Sequence, residues 1–155
     1  MKGNKKIIEQ LNKRLAEELT AINQYMVHAE MCENWGYEHL HEAIQKRAID
    51  EMKHAEKLIS RILFLEGRPT VSKLNKIAIG PDVAKMHESD RKAEETAIKD
   101  YNADIRLAVE LADNGTRELF ESILKDEEGH IDQIEAQLDQ IKQMGIQNYL
   151  VEQTD

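Results

Sequence analysis

Six residues that could bind metal ions occur in this chain as two copies of one pattern. In the first copy, Glu51 follows Glu18 by 33 residues, and His54 comes three residues after Glu51. The same spacings recur 76 residues later in Glu94, Glu127 and His130. The residues around the two isolated glutamates also match, since Thr-Ala-Ile and then a tyrosine follow each of them. The chain therefore carries an internal duplication of its most reactive side chains.

Four carboxylates and two imidazoles in this arrangement are the ligand set of a carboxylate-bridged two-metal centre in a four-helix bundle. Carboxylate oxygens and imidazole nitrogens suit iron, manganese or zinc. A Glu and a His three residues apart lie on one face of a helix, so each pair can bind one ion. Either the two isolated glutamates or the two paired ones can then bridge both ions. The pattern predicts a protein that handles iron or manganese.

These polar residues stand where apolar residues belong. Glu18 lies in a helical series between Leu15 and Ile22, and the second Glu/His pair lies between Ile123 and Ile134. Burying one carboxylate without a partner costs several kcal/mol, and converging carboxylates also repel one another. A plain bundle with buried salt bridges is the alternative interpretation. The duplicated spacing favours a pair of cations between the carboxylates instead.

Helical periodicity extends over four long segments, which the sequence predicts at about 5–34, 38–66, 82–112 and 116–144. Gly36, Gly67 and Gly115 mark the breaks between them, as glycine commonly ends a helix. The first and third breaks are tight, whereas the middle connection is long enough to run along the bundle. We expect one all-α domain over 1–155: hairpins at about 5–66 and 82–144, one long crossover, and a short tail helix at 145–152.

Bulk composition narrows the classes of function. The 155 residues carry a formal net charge of −9, which argues against nucleic acid as a partner. Cys32 is the only cysteine, so neither an intrachain disulfide nor a Cys-x-x-Cys metal site is possible. The N-terminal segment is charged, and no apolar stretch reaches the length of a membrane span. These features favour a soluble, cytoplasmic protein.

The chain resembles the bacterioferritins over nearly its whole length. The segments that carry the resemblance are Ala21-Ile-Asn-Gln-Tyr25, Ile49-Asp-Glu-Met-Lys-His-Ala55, Asp126-Glu-Glu-Gly-His-Ile-Asp132 and Met144-Gly-Ile-Gln-Asn-Tyr-Leu150. The resemblance implies a ferritin-like bundle in a hollow shell of twenty-four subunits, which stores ferric mineral. It implies a ferroxidase that oxidises Fe(II) with O2 or H2O2 at an intrasubunit diiron site, with Glu51 and Glu127 bridging. The implied ligands are Glu18, Glu51, His54, Glu94, Glu127 and His130.

The resemblance also gives Met52 a role that its position alone does not indicate. It implies that haem b lies on a two-fold axis between subunits, with Met52 from each as axial ligand. The haem would carry electrons for iron release, delivered by a small ferredoxin. Some members of the family have a histidine at the position of Lys46 and use it with Asp50 as an inner-surface iron site. A protonated lysine cannot bind a metal, so this chain departs from those members.

Two other functions share the ligand set. One is a diiron or dimanganese peroxidase or catalase; rubrerythrins in that class usually add a cysteine-rich iron module, which one cysteine cannot build. The other is a non-catalytic iron-binding subunit of a mixed shell, which the presence of all six ligands disfavours. The Dps type is disfavoured because its ligands come from two chains, whereas this chain carries a full set.

Further residues receive lesser roles. Asp50 and Asp126 are candidates to hold the two ligand histidines through the second ring nitrogen. Tyr25 and Tyr101 each follow a ligand glutamate by seven residues and could support the site, transfer electrons or simply pack in the core. The remaining histidines have no counterpart in the duplication and are interpreted as surface or packing residues: His28, His39, His41 and His87.

Overall fold

The computed structural model describes residues 1–155 and contains helices and no strands. The helices are α1 (Lys5–Asn34), α2 (Glu38–Phe64), α3 (Val83–Glu110), α4 (Asn114–Met144) and α5 (Ile146–Val151). The α1/α2 and α3/α4 hairpins are joined by a crossover of residues 65–82, so the prediction of a ferritin-like bundle with a short fifth helix is confirmed. None of the helices combines the length and apolarity that crossing a membrane requires.

Three of the long helices end in the same way. After α1, Gly36 has a φ of 81° and the Tyr37 N–H donates to the Cys32 carbonyl at 2.9 Å. After α2 and α3, non-glycine residues take the left-handed position: Glu66 with φ 61° and Ala112 with φ 54°. The sequence prediction placed both helix ends about two residues too late, because neither residue type signals a left-handed cap.

The bundle interior consists of two apolar clusters separated by a polar layer. One cluster contains Leu11, Leu58 and Phe120; the other contains Cys32, Ile44 and Tyr149. The duplicated glutamates and histidines form the layer between them, and all six are buried. Apolar packing at both ends of the bundle therefore fixes the positions of the polar residues in its middle.

The crossover is hydrogen-bonded to one face of α1, along a stripe of residues whose numbers differ by multiples of four. Side chains of this stripe accept hydrogen bonds from crossover backbone N–H groups at 2.8 to 3.1 Å: Asn12, Thr20, Gln24 and His28. His28 is fully buried, so of the two alternatives that the sequence left open, surface or packing, it is a packing residue; it accepts from the N–H of Gly80. A Cβ at Gly80 would lie 2.3 Å from the backbone nitrogen of Met86, which explains the glycine.

Candidate metal centre

The duplicated residues meet in the polar layer as two overlapping groups. One group is Glu18, Glu51, His54 and Glu127; the other is Glu51, Glu94, Glu127 and His130. Within each group, one possible ligand atom per residue lies within 4.8 Å of the others. Two glutamates belong to both groups, as a site for two neighbouring ions requires.

Distances to the histidines separate the four glutamates into two kinds. Oε1 of Glu51 lies 3.5 Å from His54 Nδ1 and 3.1 Å from His130 Nδ1. Oε1 of Glu127 lies 3.4 and 3.2 Å from the same two atoms. In contrast, Glu18 approaches only His54, at 3.6 Å, and Glu94 approaches only His130, at 3.3 Å. Of the two bridging schemes that the sequence left open, this geometry favours the paired glutamates.

Each of the six side chains has one buried polar atom without a hydrogen-bond partner. These atoms are Glu18 Oε2, Glu51 Oε1, His54 Nδ1, Glu94 Oε2, Glu127 Oε1 and His130 Nδ1. An unsatisfied buried polar group costs about 1–3 kcal/mol, so six of them around one point are not a stable end state by themselves. Carboxylate oxygens and imidazole nitrogens that face one another fit a pair of divalent cations.

The two histidines are held by aspartates from the opposite hairpin. His54 Nε2 donates to Asp126 Oδ2 at 2.9 Å, and His130 Nε2 donates to Asp50 Oδ2 at 3.1 Å. Because this bond keeps a proton on Nε2, Nδ1 is the ring atom that can bind a metal once its own proton has left. Asp50 and Asp126 therefore have the contacts expected of residues that orient metal-binding histidines.

The two tyrosines hold the isolated glutamates, again across the duplication. Tyr25 donates to Glu94 Oε1 and Tyr101 donates to Glu18 Oε1, both at 2.6 Å. The bond occupies one oxygen of each carboxylate and leaves Oε2 without a partner. The sequence left support of the site and plain packing equally open for these residues; in the structure both hydroxyls contact the carboxylates.

Crowding of buried charged groups shifts the pKa values of the site in the protein without metal. Burial, followed by the charge of Glu18, raises the pKa of Glu51 and of Glu127 well above the ordinary range. Burial also opposes the charge on His54, but the closeness and negative charge of Glu18 outweigh it and raise the pKa of His54 to about 9. The metal-free site therefore retains protons at neutral pH, which incoming cations would displace.

A cavity of about 170 Å³ leads from this site to the protein surface. Glu18, Glu51, Glu94 and Glu127 line its inner end. Asn75 and Lys76 of the crossover line it as well, and both are exposed. Small ions and dioxygen can thus reach the buried carboxylates from the α1/α3 side of the bundle.

Two buried ionic clusters beside the site were missed from the sequence. Arg14 lies 3.4 Å from Asp104, and Asp90 accepts from His28 at 2.9 Å and from Arg47 at 3.1 Å. The 76-residue shift maps Arg14 onto Asp90 and His28 onto Asp104. The two clusters thus occupy equivalent places, with an arginine in one where the other has an aspartate, and comparing the two copies is the signal that could have revealed them.

Comparison with known proteins agrees with this geometry. The profile of the ferritin-like domain matches residues 8–144. Bacterioferritins from Brucella melitensis and Rhodobacter capsulatus are each 41% identical over 149 residues, covering 96% of this chain and 92% of the relative. Bacterioferritin from Streptomyces coelicolor is 41% identical over 157 residues, covering 99% and 94%. The chain belongs to the bacterioferritins of the ferritin-like family.

Proposed function

We propose that this protein stores iron and oxidises Fe(II) to Fe(III) at the polar layer of its bundle. The observation that carries the proposal is the convergence of six buried ligand atoms, none with a hydrogen-bond partner, in two groups that share two glutamates. A structural salt-bridge layer would pair these atoms with one another in hydrogen bonds, whereas here Nδ1 of each histidine lies 3.1 to 3.6 Å from the nearest glutamate oxygens and has no hydrogen-bond partner.

Each side chain has an assigned role in binding the substrate ions. Glu18 and His54 hold one Fe(II), Glu94 and His130 hold the other, and Glu51 and Glu127 are shared between them. Each bound Fe(II) supplies one electron, so the pair reduces dioxygen to hydrogen peroxide, or hydrogen peroxide to water, with two protons taken up. The shared carboxylates offset the added positive charge of the ferric products.

The surrounding residues keep this site ready for metal. Asp50 and Asp126 hold the histidine tautomer that exposes Nδ1, and Tyr25 and Tyr101 hold one oxygen of each flanking glutamate. A ligand whose orientation is fixed in advance loses little conformational freedom when a metal binds. The protons on Glu51 and Glu127 leave as the ions arrive, so iron binding should strengthen with pH.

Assembly and iron release follow the family. We propose a shell of twenty-four copies, built from dimers, that encloses the ferric mineral in the cytoplasm. A small ferredoxin is the proposed electron donor for release. Lys46 is exposed and forms an ion pair with Asp50 at 3.5 Å, so we include no inner-surface iron site at that position.

We further propose that haem binds between two copies with Met52 as axial ligand. Met52 is 46% exposed on α2. It lines an apolar surface cavity of about 260 Å³ together with Ile22, Met26 and Ile49. An exposed sulfur ligand within an apolar concavity fits half of a haem site shared with a second copy. Bound haem would supply one-electron transfer between the surface and the stored iron.

The haem assignment is tested by comparing two methionines of the same cavity. Met52→Leu should remove axial sulfur ligation and the corresponding absorption bands, while iron uptake persists. Met26→Leu is the matched control and should leave the haem spectrum unchanged. Loss of ligation in the Met26 variant alone would assign the haem to Met26 instead.

The ferroxidase proposal is tested by rapid mixing. Metal-free protein is mixed with increasing Fe(II) in aerated buffer, and ferric absorbance is followed at millisecond resolution. We expect a fast phase that saturates at two Fe(II) per chain. Oxidation no faster than that of free iron, with either dioxygen or peroxide, would assign the ligand set to manganese or to a non-catalytic shell subunit.

A further inference from the structure

Arg47 is a buried charge at a position where the other copy of the duplication has an apolar residue. It lies on α2 and is 5% exposed. The 76-residue shift maps it onto Ile123 of α4, which is fully buried in an apolar cluster. Replacing a buried ion pair by apolar side chains is often neutral or even stabilising. Stability alone therefore gives no reason for an arginine here, and its contacts indicate a different role.

Asp90 of α3 fixes the position of this arginine. The carboxylate is fully buried, and its Oδ2 accepts from Arg47 Nη1 at 3.1 Å. Its Oδ1 accepts from Gln24 Nε2 at 2.8 Å and from His28 Nδ1 at 2.9 Å. These two donors are held in turn, because each also accepts a hydrogen bond from a backbone N–H of the crossover. The guanidinium is thus anchored to α1, to α3 and to the crossover together.

The anchored guanidinium packs on a residue that contacts a proposed metal ligand. Arg47 lies 5.0 Å from the centroid of the Tyr25 ring, within the range of a cation–π interaction. The hydroxyl of the same ring donates to Glu94 Oε1 at 2.6 Å. A cation held against the face of the ring restricts its tilt, and the tilt of the ring sets where the hydroxyl points. Contacts therefore run without a break from Asp90 through Arg47 and Tyr25 to one glutamate of the metal centre.

The other half of the metal centre has no such series of contacts. The Tyr101 hydroxyl donates to Glu18 Oε1, also at 2.6 Å. Its ring, however, lies 5.9 Å from that of Phe120 and has no cation over its face. The two tyrosines thus make the same hydrogen bond but are held by different neighbours. Loss of the arginine should consequently affect Glu94 and leave Glu18 in place.

We propose that Arg47 is a positioning residue, which acts through Tyr25 to hold Glu94 for the ion beside Glu94 and His130. The proposal rests on the proposed function only in that the polar layer must bind two metal ions. Neither Arg47 nor Asp90 forms a hydrogen bond or ion pair with any of the six ligands. Their effect on metal affinity must therefore pass through the Tyr25 hydroxyl. A residue that only stabilised the bundle would act equally with or without that hydroxyl.

A double-mutant cycle tests this dependence. Arg47→Met together with Asp90→Asn removes the ion pair as a unit, and the asparagine keeps the Oδ1 that accepts from Gln24 and His28. Competitive titration of the metal-free protein measures zinc affinity. We expect the paired change to weaken zinc binding at least about fivefold in the wild-type background.

The same paired change is then made in two tyrosine variants. In Tyr25→Phe it should alter zinc affinity by less than about twofold, because the hydroxyl through which it acts is already absent. In Tyr101→Phe, the matched control from the other half of the site, it should cause the full loss. In crystals soaked with limiting zinc, the paired change should weaken the anomalous peak beside Glu94 relative to the peak beside Glu18.

Three results would overturn the proposal. An equal loss of affinity in all three backgrounds would make Arg47 a structural residue only, and no loss in any of them would leave it without a role. Failure of the wild-type protein to bind zinc in the polar layer would refute the metal centre itself, and this proposal with it. If circular dichroism shows that the paired change prevents folding, Arg47→Lys replaces it in the same cycle. That change keeps Asp90 paired but removes the planar guanidinium from the Tyr25 ring.

Discussion

The two hairpins contribute identical sets of proposed metal ligands but support them differently. The α1/α2 hairpin provides Asp50, whose side chain is 28% exposed and lies 3.5 Å from Lys46. Its counterpart in the α3/α4 hairpin, Asp126, is 52% exposed, and the position equivalent to Lys46 is Ser122. The histidine of the second hairpin is therefore held by a more buried carboxylate than the histidine of the first.

The tyrosines differ in the same way. The ring of Tyr25 lies beneath the guanidinium of Arg47, whereas the ring of Tyr101 lies 5.9 Å from that of Phe120. Both hydroxyls nevertheless donate to a glutamate at 2.6 Å. Six ligands must converge on the same ions and constrain one another, whereas a supporting residue has only one bond to maintain. The duplication has therefore kept its ligands and allowed their surroundings to diverge.

Removing a shared ligand should have the largest effect, whichever hairpin supplies it. Glu127→Ala and Glu51→Ala should each slow Fe(II) oxidation at least about 100-fold, because both ions lose a ligand. Rapid-mixing kinetics measure the rate, and size-exclusion chromatography checks assembly. Glu128→Ala, at the exposed neighbouring position, is the control. A normal rate in either shared-ligand variant would refute the assignment.

Removing a supporting aspartate should weaken metal binding to a different extent in the two hairpins. Asp50→Asn should weaken metal binding by about 10–100-fold, the usual effect of losing such a partner. Asp126→Asn should cost less, because the more exposed carboxylate is more strongly screened by water. Competitive zinc titration of both variants measures the difference. Equal losses would show that the different exposures do not matter.

The pH dependence of the stability of the metal-free protein tests whether buried groups of both hairpins are protonated. Burial raises the pKa of Glu51 and Glu127, so ionising them above their ordinary range destabilises the folded metal-free protein. The stabilising charge of His54, whose pKa is raised to about 9, is present below its ordinary pKa and is lost as pH rises through 9. Both contributions have the same sign.

The Tm of the metal-free protein should therefore fall by about 3 °C or more between pH 6.5 and 9, as judged by thermal unfolding. Bound zinc replaces the protons and should flatten this slope. A Tm of the metal-free protein that rises over the same interval would contradict the claim that Glu51, Glu127 and His54 hold stabilising protons.

Lys46 should have the smallest effect. Its side chain is 76% exposed, so the ion pair with Asp50 is screened by solvent. Lys46→Ala should change the rate of Fe(II) oxidation by less than about twofold. Rapid mixing under the conditions used for Glu127→Ala provides the comparison. A larger change would mean that Lys46 determines the orientation of Asp50.

The sequence predicted the helices and the ligand set because both repeat: apolar positions recur every three or four residues, and the ligands recur after 76. Helix ends at Glu66 and Ala112 were misplaced, because left-handed caps there have no glycine. Each ligand histidine and each tyrosine forms its hydrogen bond with a carboxylate of the opposite hairpin. These pairings depend on how the helices pack against one another, and residue spacing in the sequence does not give that packing. For the same reason, nothing in the sequence indicated that Arg47 is buried.

The central claim is that both hairpins build one site for two ions, with Glu51 and Glu127 shared. Crystals soaked with zinc, a redox-inert substitute for Fe(II), test it directly by anomalous diffraction at the zinc edge. We expect two peaks in the polar layer, one beside Glu18 and His54 and the other beside Glu94 and His130, with both shared carboxylates between them. A single peak, or zinc bound only at the surface, would contradict the two-ion site.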